Sequence, residues 1–390
     1  MIDRNAVLKQ LEVVSSKLFA HVTDADDFLM QEWQKIAQDP TFRDRAGEAQ
    51  SSFLVPTWQG DLQQTFSVGP IEHPYTVLGV DGSQIYPDRH ISGAGCCLIN
   101  VGGILIEYDA VSRVQTFSKP EVLLLEQLTA GDEQEAATPE MVDFTREARE
   151  LATMLQQARG YRAQNSSASS TMPICLVDGS LIFWQLEGSS PAVKKRFLDA
   201  YLGVLDACYQ ERILVAGYIS FPRSKELINL IKLGLCRFKM ANCIPCHSAY
   251  TTFPCETADQ WLDSQLVHAY VPPWHRTILF ASSSKIIKHY PSHLAPHFLY
   301  LNVGKEVARV EIPRWIAYDE TALTQTLSVI VDQVQKGQGF PVVLAEAHEQ
   351  AVVKGSDREF FYHLIAKICM AQHKPVSWSQ KSLTKKFTKV

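Results

Sequence analysis

The stretch Tyr75–Tyr86 reads YTVLGVDGSQIY. A short apolar run ends on one aspartate, Asp81, and Gly82 and Ser83 follow at once. The arrangement returns near the middle of the chain, where Pro173-Ile174-Cys175-Leu176-Val177 leads into Asp178, Gly179 and Ser180. Apolar runs of this length, bounded by turn residues, predict buried strands. An aspartate that ends such a strand stands where the polar edge of a sheet meets solvent. The glycine after it permits a sharp turn or the close approach of a ligand. Two such strands side by side bring two carboxylates together, a hard-oxygen setting for a divalent cation that activates water. D-G is also common turn chemistry. The repetition, each time after an apolar run, carries the metal reading.

The sequence around these strands alternates β-rich runs with helical periods. Gly95–Asn100 and Gly103–Tyr108 are expected strands, with hairpin turn residues at Asn100-Val101-Gly102-Gly103. Val111–Phe117 and Glu121–Leu125 are further strand candidates. Pro139–Ala158 reads as a helix carrying Glu147 and Glu150. After Ile174–Asp178 come a helix at Pro191–Gln210, a strand at Ile213–Ile219 and a helix at Ser224–Leu233. Strands at Thr277–Ala281, His297–Asn302, Lys305–Ile312 and Pro341–Glu346 follow, with helices at Thr321–Lys336 and Asp357–Ala371. This succession predicts an α/β protein, a mixed sheet flanked by helices on both faces.

Ahead of the first strand, residues 1–38 space Val7, Leu8, Leu11, Val14 and Leu18 as amphipathic helices do. That segment reads as a packing or dimerisation appendage. Residues 39–70 read as a connecting loop, 163–171 as a serine-rich loop, and 236–276 as irregular. The expected division is an N-terminal helical extension over residues 1–70, the main domain over 71–376, and a basic tail over 377–390. The tail carries Lys381, Lys385, Lys386 and Lys389 and no acidic residue.

The chain has 390 residues, of which 46% are apolar and 20% charged, ample for a large core. No apolar run reaches membrane-spanning length, and the start, MIDRNAVLKQ, lacks the apolar core of a signal peptide. A cytoplasmic protein is expected. Nine cysteines, two of them adjacent at Cys96-Cys97, do not read as a disulfide framework. A net charge of −5 disfavours non-specific binding to phosphate backbones. Nucleic-acid contact would need local basic patches or metal ions. No G-x-x-x-x-G-K-[ST] occurs, so ATP-driven movement would have to come from a partner.

A third carboxylate would complete a cation site, and Glu147 and Glu150 are the candidates. They are neighbours on the helix surface but offset around it, so one of them points at the sheet edge. Glu150 precedes Leu151, Met154 and Leu155 and stands nearer the apolar stripe, which favours it. His348, in the run FPVVLAEAHEQAVV over 340–353, reads as a metal ligand, a proton-transfer group or a structural histidine at a strand end. Cys236, Cys243, Cys246 and Cys255, with His247, form a cluster that could hold a structural Zn²⁺ or an iron–sulfur cluster. Buried, reduced cysteines are the alternative. The C-x-x-C-H string also spells a haem attachment site, discounted for want of an export signal.

The order DGSQ, DGSL, RVEIPRW and LAEAHEQA, over roughly residues 75–370, resembles the NurA nuclease family. The resemblance implies an RNase H-like core and a Mn²⁺- or Mg²⁺-dependent deoxyribonuclease. Such an enzyme acts as a 5′-to-3′ exonuclease and single-strand endonuclease, as a homodimer, with the hexameric ATPase HerA at DNA ends. Asp81 and Asp178 match the family's metal-binding aspartates, Glu150 or else Glu147 the acidic residue of the intervening helix, and His348 the C-terminal histidine. Arg223 in FPRS, Arg276 in WHRT and the pair Arg309/Glu311 also fall where family motifs sit. Arginines there suit DNA phosphate contacts, while Arg309 and Glu311 read equally as a strand-borne ion pair. Two other classes stay open: a catalytically inactive dimeric adaptor binding DNA or the ATPase, and a redox sensor built on the cysteine segment.

Overall fold

The computed structural model describes residues 2–18, 25–71, 74–87, 95–129, 138–165, 172–236, 241–243, 246 and 253–373. The basic tail, most of the serine-rich loop and His247 lie outside them. The chain divides into two compact units: Met1–Gly69, Tyr218–His289 and Ala295–Ala317 in one, and Pro70–Gly217, Tyr290–Leu294 and Tyr318–Val390 in the other. The architecture is mixed α/β, with sheet flanked by helices.

The unit that begins at Pro70 is built on β1, Tyr75–Ile85. Residues 75–80 of β1 are all buried, as a strand covered on both faces must be. β2, Cys96–Tyr108, pairs antiparallel with β1 from Tyr75↔Tyr108 to Ile85↔Leu98. β3, Arg113–Leu124, continues the meander on the far side of β2. Helix α1, Pro139–Gln164, then returns the chain to β4, Ile174–Asp178, which lies parallel to β1 on its other edge. Helix α2, Pro191–Gln210, leads to β5, Val215–Ile219, beside β4, of which residues 215–217 belong to this unit. α3, Glu320–Lys336, α4, Val342–Ala351, and α5, Gly355–Ala371, complete the unit. The expected bounds of β4 and α2 hold to the residue; α1 runs past Ala158 to Gln164.

Two expectations fail here for one physical reason. Asn100–Gly103 is no hairpin turn: β2 runs straight through it. Pro341–Glu346 is no strand: from Val342 the chain is helical, with Pro341 at the N-cap. Its Val343, Leu344, Ala347 and Ala351 are buried at three- and four-residue steps, a helical period that the short apolar run FPVVLA conceals. α4 lies so close to the sheet that the strands need glycine beneath it. A Cβ on Gly102 would stand 2.3 Å from the Ala351 nitrogen, and one on Gly79 2.5 Å from the Val343 carbonyl oxygen. Glycine in mid-strand marks the approach of another backbone, not a turn. Val111–Phe117 and Glu121–Leu125 likewise merge into the single β3.

The other unit holds helices Arg4–Leu18 and Ala25–Gln38. Leu29, Trp33 and Ile36 of the second helix are buried with Leu227, Ile228 and Ile231 of helix Glu226–Gly234 and with Phe298 and Tyr300. Strands Pro296–Asn302 and Val307–Pro313 pair antiparallel there. Residues 39–70, expected as a loop, contain helix Phe42–Glu48 and short strands that pair with Phe280–Ala281 and His275–Arg276. Residues 236–276, expected as irregular, include helix Asp263–Tyr270 and a 3₁₀ turn at Pro254–Ala258. Among the described residues no helix is long and apolar enough to cross a membrane.

Gly102→Ala and Gly79→Ala should each destabilise the protein by about 1–3 kcal/mol through overpacking against α4. Chemical denaturation checks this; an unchanged midpoint for both would contradict the close approach.

Candidate active site

Val80 of β1 is aligned with Val177 of β4 in the parallel ladder. Asp81 and Asp178 are the next residues on each strand, so they stand at the same level on neighbouring strands, roughly 5 Å apart in backbone. β4 ends at Asp178, whereas β1 runs past its expected end to Ile85, with Asp81 still paired to Gly102. The Asp178 carboxyl is pushed above its ordinary value, first by desolvation and then by Asp81, while His348 pulls it down. The residue reaches solvent, but the protein around its carboxylate still strips water from it.

His348 comes from α4, one helical turn from its end. Its Nδ1 lies 2.8 Å from Asp81 Oδ2. The other oxygen, Asp81 Oδ1, accepts from the Gly82 backbone N–H at 2.7 Å. Asp81 thus orients the imidazole: with Nδ1–H donated to the carboxylate, Nε2 keeps its lone pair. The histidine side chain is 60% exposed, against 16% for Asp81.

Glu150 enters from α1. It is buried, and its carboxyl is pushed up to about 8, chiefly by desolvation, with Asp81 and Glu147 adding to the rise and Arg146 opposing it. Arg146, one turn earlier, forms an ion pair with it. Glu147 takes a different set of partners, the Tyr201 hydroxyl at 3.1 Å and the Gln185 side chain. Of the two glutamates, Glu150 is the one coupled to Asp81. A cleft of about 140 Å³ is lined by Arg146, Glu147, Glu150, Asp178, Ser180 and Gln185. Nearby, Tyr86 donates to Asp143 at 2.6 Å and Gln84 donates to the same oxygen at 2.9 Å.

Asp81, Glu150, Asp178 and His348 therefore gather in one unit. The sequence reading missed Arg146, Asp143, Gln84 and Tyr86 beside them. Arg146 carried a visible signal, its position four residues before Glu150 on one helix face. The donor chemistry, three carboxylates and one imidazole, fits a hard divalent cation. Raised carboxyls crowded together are the electrostatic situation that a cation relieves. Among the described residues, no three His, Cys, Asp or Glu side chains stand ready-arranged as a metal-holding group.

The remaining candidates lie in the other unit. Arg309 is 1% exposed. It pairs with Glu226 at 2.5 Å and Glu311 at 2.8 Å, and stacks over Phe298. Of its two sequence readings, the strand-borne ion pair is the one present. Arg276 is half-buried over Phe66, donates to the Thr277 carbonyl, and is lowered to about 10 by desolvation. Arg223 is exposed ahead of helix Glu226–Gly234. All nine cysteines are thiols. Cys236, Cys243, Cys246 and Cys255 are half-buried, and the Cys255 thiol is raised by burial and by the other three.

A family model described as the NurA domain matches residues 75–353. No curated protein matches the chain.

The raised Glu150 carboxyl has a sign in stability. Between its ordinary value of 4.5 and about 8 the unfolded chain releases a proton that the folded protein keeps, so stability falls as pH rises through that window. In metal-free buffer, Glu150→Gln should flatten this decline in urea melts; an equal slope in both proteins would contradict the burial of the carboxylate. Arg309→Ala leaves two carboxylates without their cation and should cost about 3–5 kcal/mol. Denaturation that leaves stability intact would return Arg309 to a surface role.

Proposed function

Since the chain belongs to the NurA family, we propose that it is a divalent-cation-dependent deoxyribonuclease acting in DNA end processing. The family is nuclease-associated, and the observation that carries the finer reading is the placement of Asp81 and Asp178 at one level on aligned parallel strands, with His348 bonded to the first. The sheet order, a central β1 with the antiparallel β2–β3 meander on one side and β4–β5 on the other, supports an RNase H-like core.

Asp81, Asp178 and Glu150 would hold Mn²⁺ or Mg²⁺. When bound, the ion supplies Lewis-acid stabilisation of the phosphodiester and activation of water. Asp81 also fixes the tautomer of His348, whose Nε2 can take a proton from water or return one to the leaving oxygen. Glu147 is held by Tyr201 and Gln185, which keeps the wall of the cleft rigid. None of these groups reads a base edge, so cleavage should depend little on base sequence. Exposed Arg223 and half-buried Arg276 suit backbone contacts. A homodimer working with a HerA-like ATPase, in the cytoplasm, completes the proposal.

One observation favours a second reading. Glu150 is already paired with Arg146, and no ready metal group is assembled among the described residues. A catalytically silent adaptor that binds DNA or an ATPase would carry such a site.

Asp81→Ala should lower Mn²⁺-dependent cleavage of end-labelled single-stranded DNA by about 100-fold or more, with unfolding little changed. Cleavage retained at the wild-type rate would refute the assignment.

A further inference from the structure

Glu150 is a buried carboxylate held by a neighbour that is itself mostly buried. The Arg146 side chain is 20% exposed and that of Glu150 9%. The pair is pressed onto β1: a Cβ on Gly82 would stand 2.2 Å from Glu150 Oε1 and 2.9 Å from Arg146 Cγ. Both side chains therefore rest on the backbone just after Asp81, in the cleft that Asp178 also lines.

Three further facts bear on how the guanidinium is held. Arg146 Nη2 stands 3.9 Å from Glu147 Oε1, so a second carboxylate is within a small side-chain movement. Arg146 Nε is buried and has no hydrogen-bond partner among the described residues, so one donor of the fork is unspent. Asp143, one turn earlier on α1, adds negative charge around the guanidinium and already accepts from Tyr86 and Gln84.

We infer that Arg146 is a place-holding cation: it pairs with Glu150 in the metal-free protein and yields that carboxylate to the divalent ion, shifting toward Glu147. The inference rests on the reading of Asp81, Glu150 and Asp178 as the cation site. Arg146 is then a positioning residue that acts through Glu150. It keeps the Glu150 side chain in place in the cleft before the ion arrives, and the exchange of one cation for another sets the ion's apparent affinity. A guanidinium that stays beside the ion repels it; one that moves aside spends part of the binding energy on the move.

Calorimetric titration of the full chain with MnCl₂, without DNA, tests this. Arg146→Gln should bind Mn²⁺ about tenfold more tightly than the wild type. Arg146→Lys, which keeps the charge but makes a single-point contact, should fall between them. In thermal melts the metal-free Arg146→Gln protein should unfold earlier than the wild type, and Mn²⁺ should raise its midpoint by more. If Arg146 merely orients Glu150, both variants bind Mn²⁺ no better or more weakly, and that result overturns the inference. Should the glutamine variant fail to fold, tighter binding by the lysine variant alone still supports the exchange and weaker binding refutes it. Wild-type protein that binds no Mn²⁺, or whose binding survives Asp81→Asn unchanged, overturns the cation-site reading itself and this inference with it.

Discussion

The parallel register between β1 and β4 aligns Val80 with Val177 and so obliges Asp81 and Asp178 to stand at one level on neighbouring strands. Two carboxylates on neighbouring strands repel, and desolvation followed by Asp81 pushes the Asp178 carboxyl above its ordinary value. The rest of the site answers that repulsion. His348 bonds to Asp81, Arg146 pairs with Glu150, and the Gly82 amide donates to Asp81. The carboxylates are not there for stability; a core of apolar side chains would serve that better.

Helix α4 converts the sheet's geometry into the site's. It sits against β1 and β2 where Gly79 and Gly102 leave room for its backbone. Its C-terminal turn is fastened to the same strands: Ser83 Oγ and Asn100 Nδ2 both donate to the Ala351 carbonyl. Ser83 is the serine of the first D-G-S run. One short motif thus supplies a carboxylate to the site, a glycine over which Glu150 and Arg146 lie, and a hydroxyl that anchors the helix bearing His348. A small shift of α4 would carry the imidazole away from Asp81, so packing at two glycines is coupled to the His348–Asp81 contact.

Much of this was legible in the sequence, and the exceptions are physically coherent. The two strands that carry D-G-S and the bounds of α2 and β4 followed from apolar runs and helical period, although β1 runs on through its D-G-S to Ile85 because β2 pairs with it that far. α4 escaped because a short apolar run has no period long enough to separate strand from helix. Gly102 and Gly103 looked like a turn because nothing local reveals that a helix lies across them. Arg309 could be read as a phosphate contact until its burial with Glu226 and Glu311 was seen, since neither sequence position betrays depth. Arg146 went unread although its spacing from Glu150 was plain, because an i,i+4 pair on a helix is usually a solvated one. Long-range contacts decided each of these cases.

The central claim is that Asp81, Glu150 and Asp178 converge on one divalent cation. Anomalous diffraction at the manganese edge, from crystals soaked in MnCl₂, addresses it most directly. A peak is expected within coordination distance of the carboxylate oxygens of Asp81 and Asp178, with Glu150 turned from Arg146 toward it. Well-diffracting soaked crystals with no peak there, or with the two aspartates directed away from any bound ion, would contradict it.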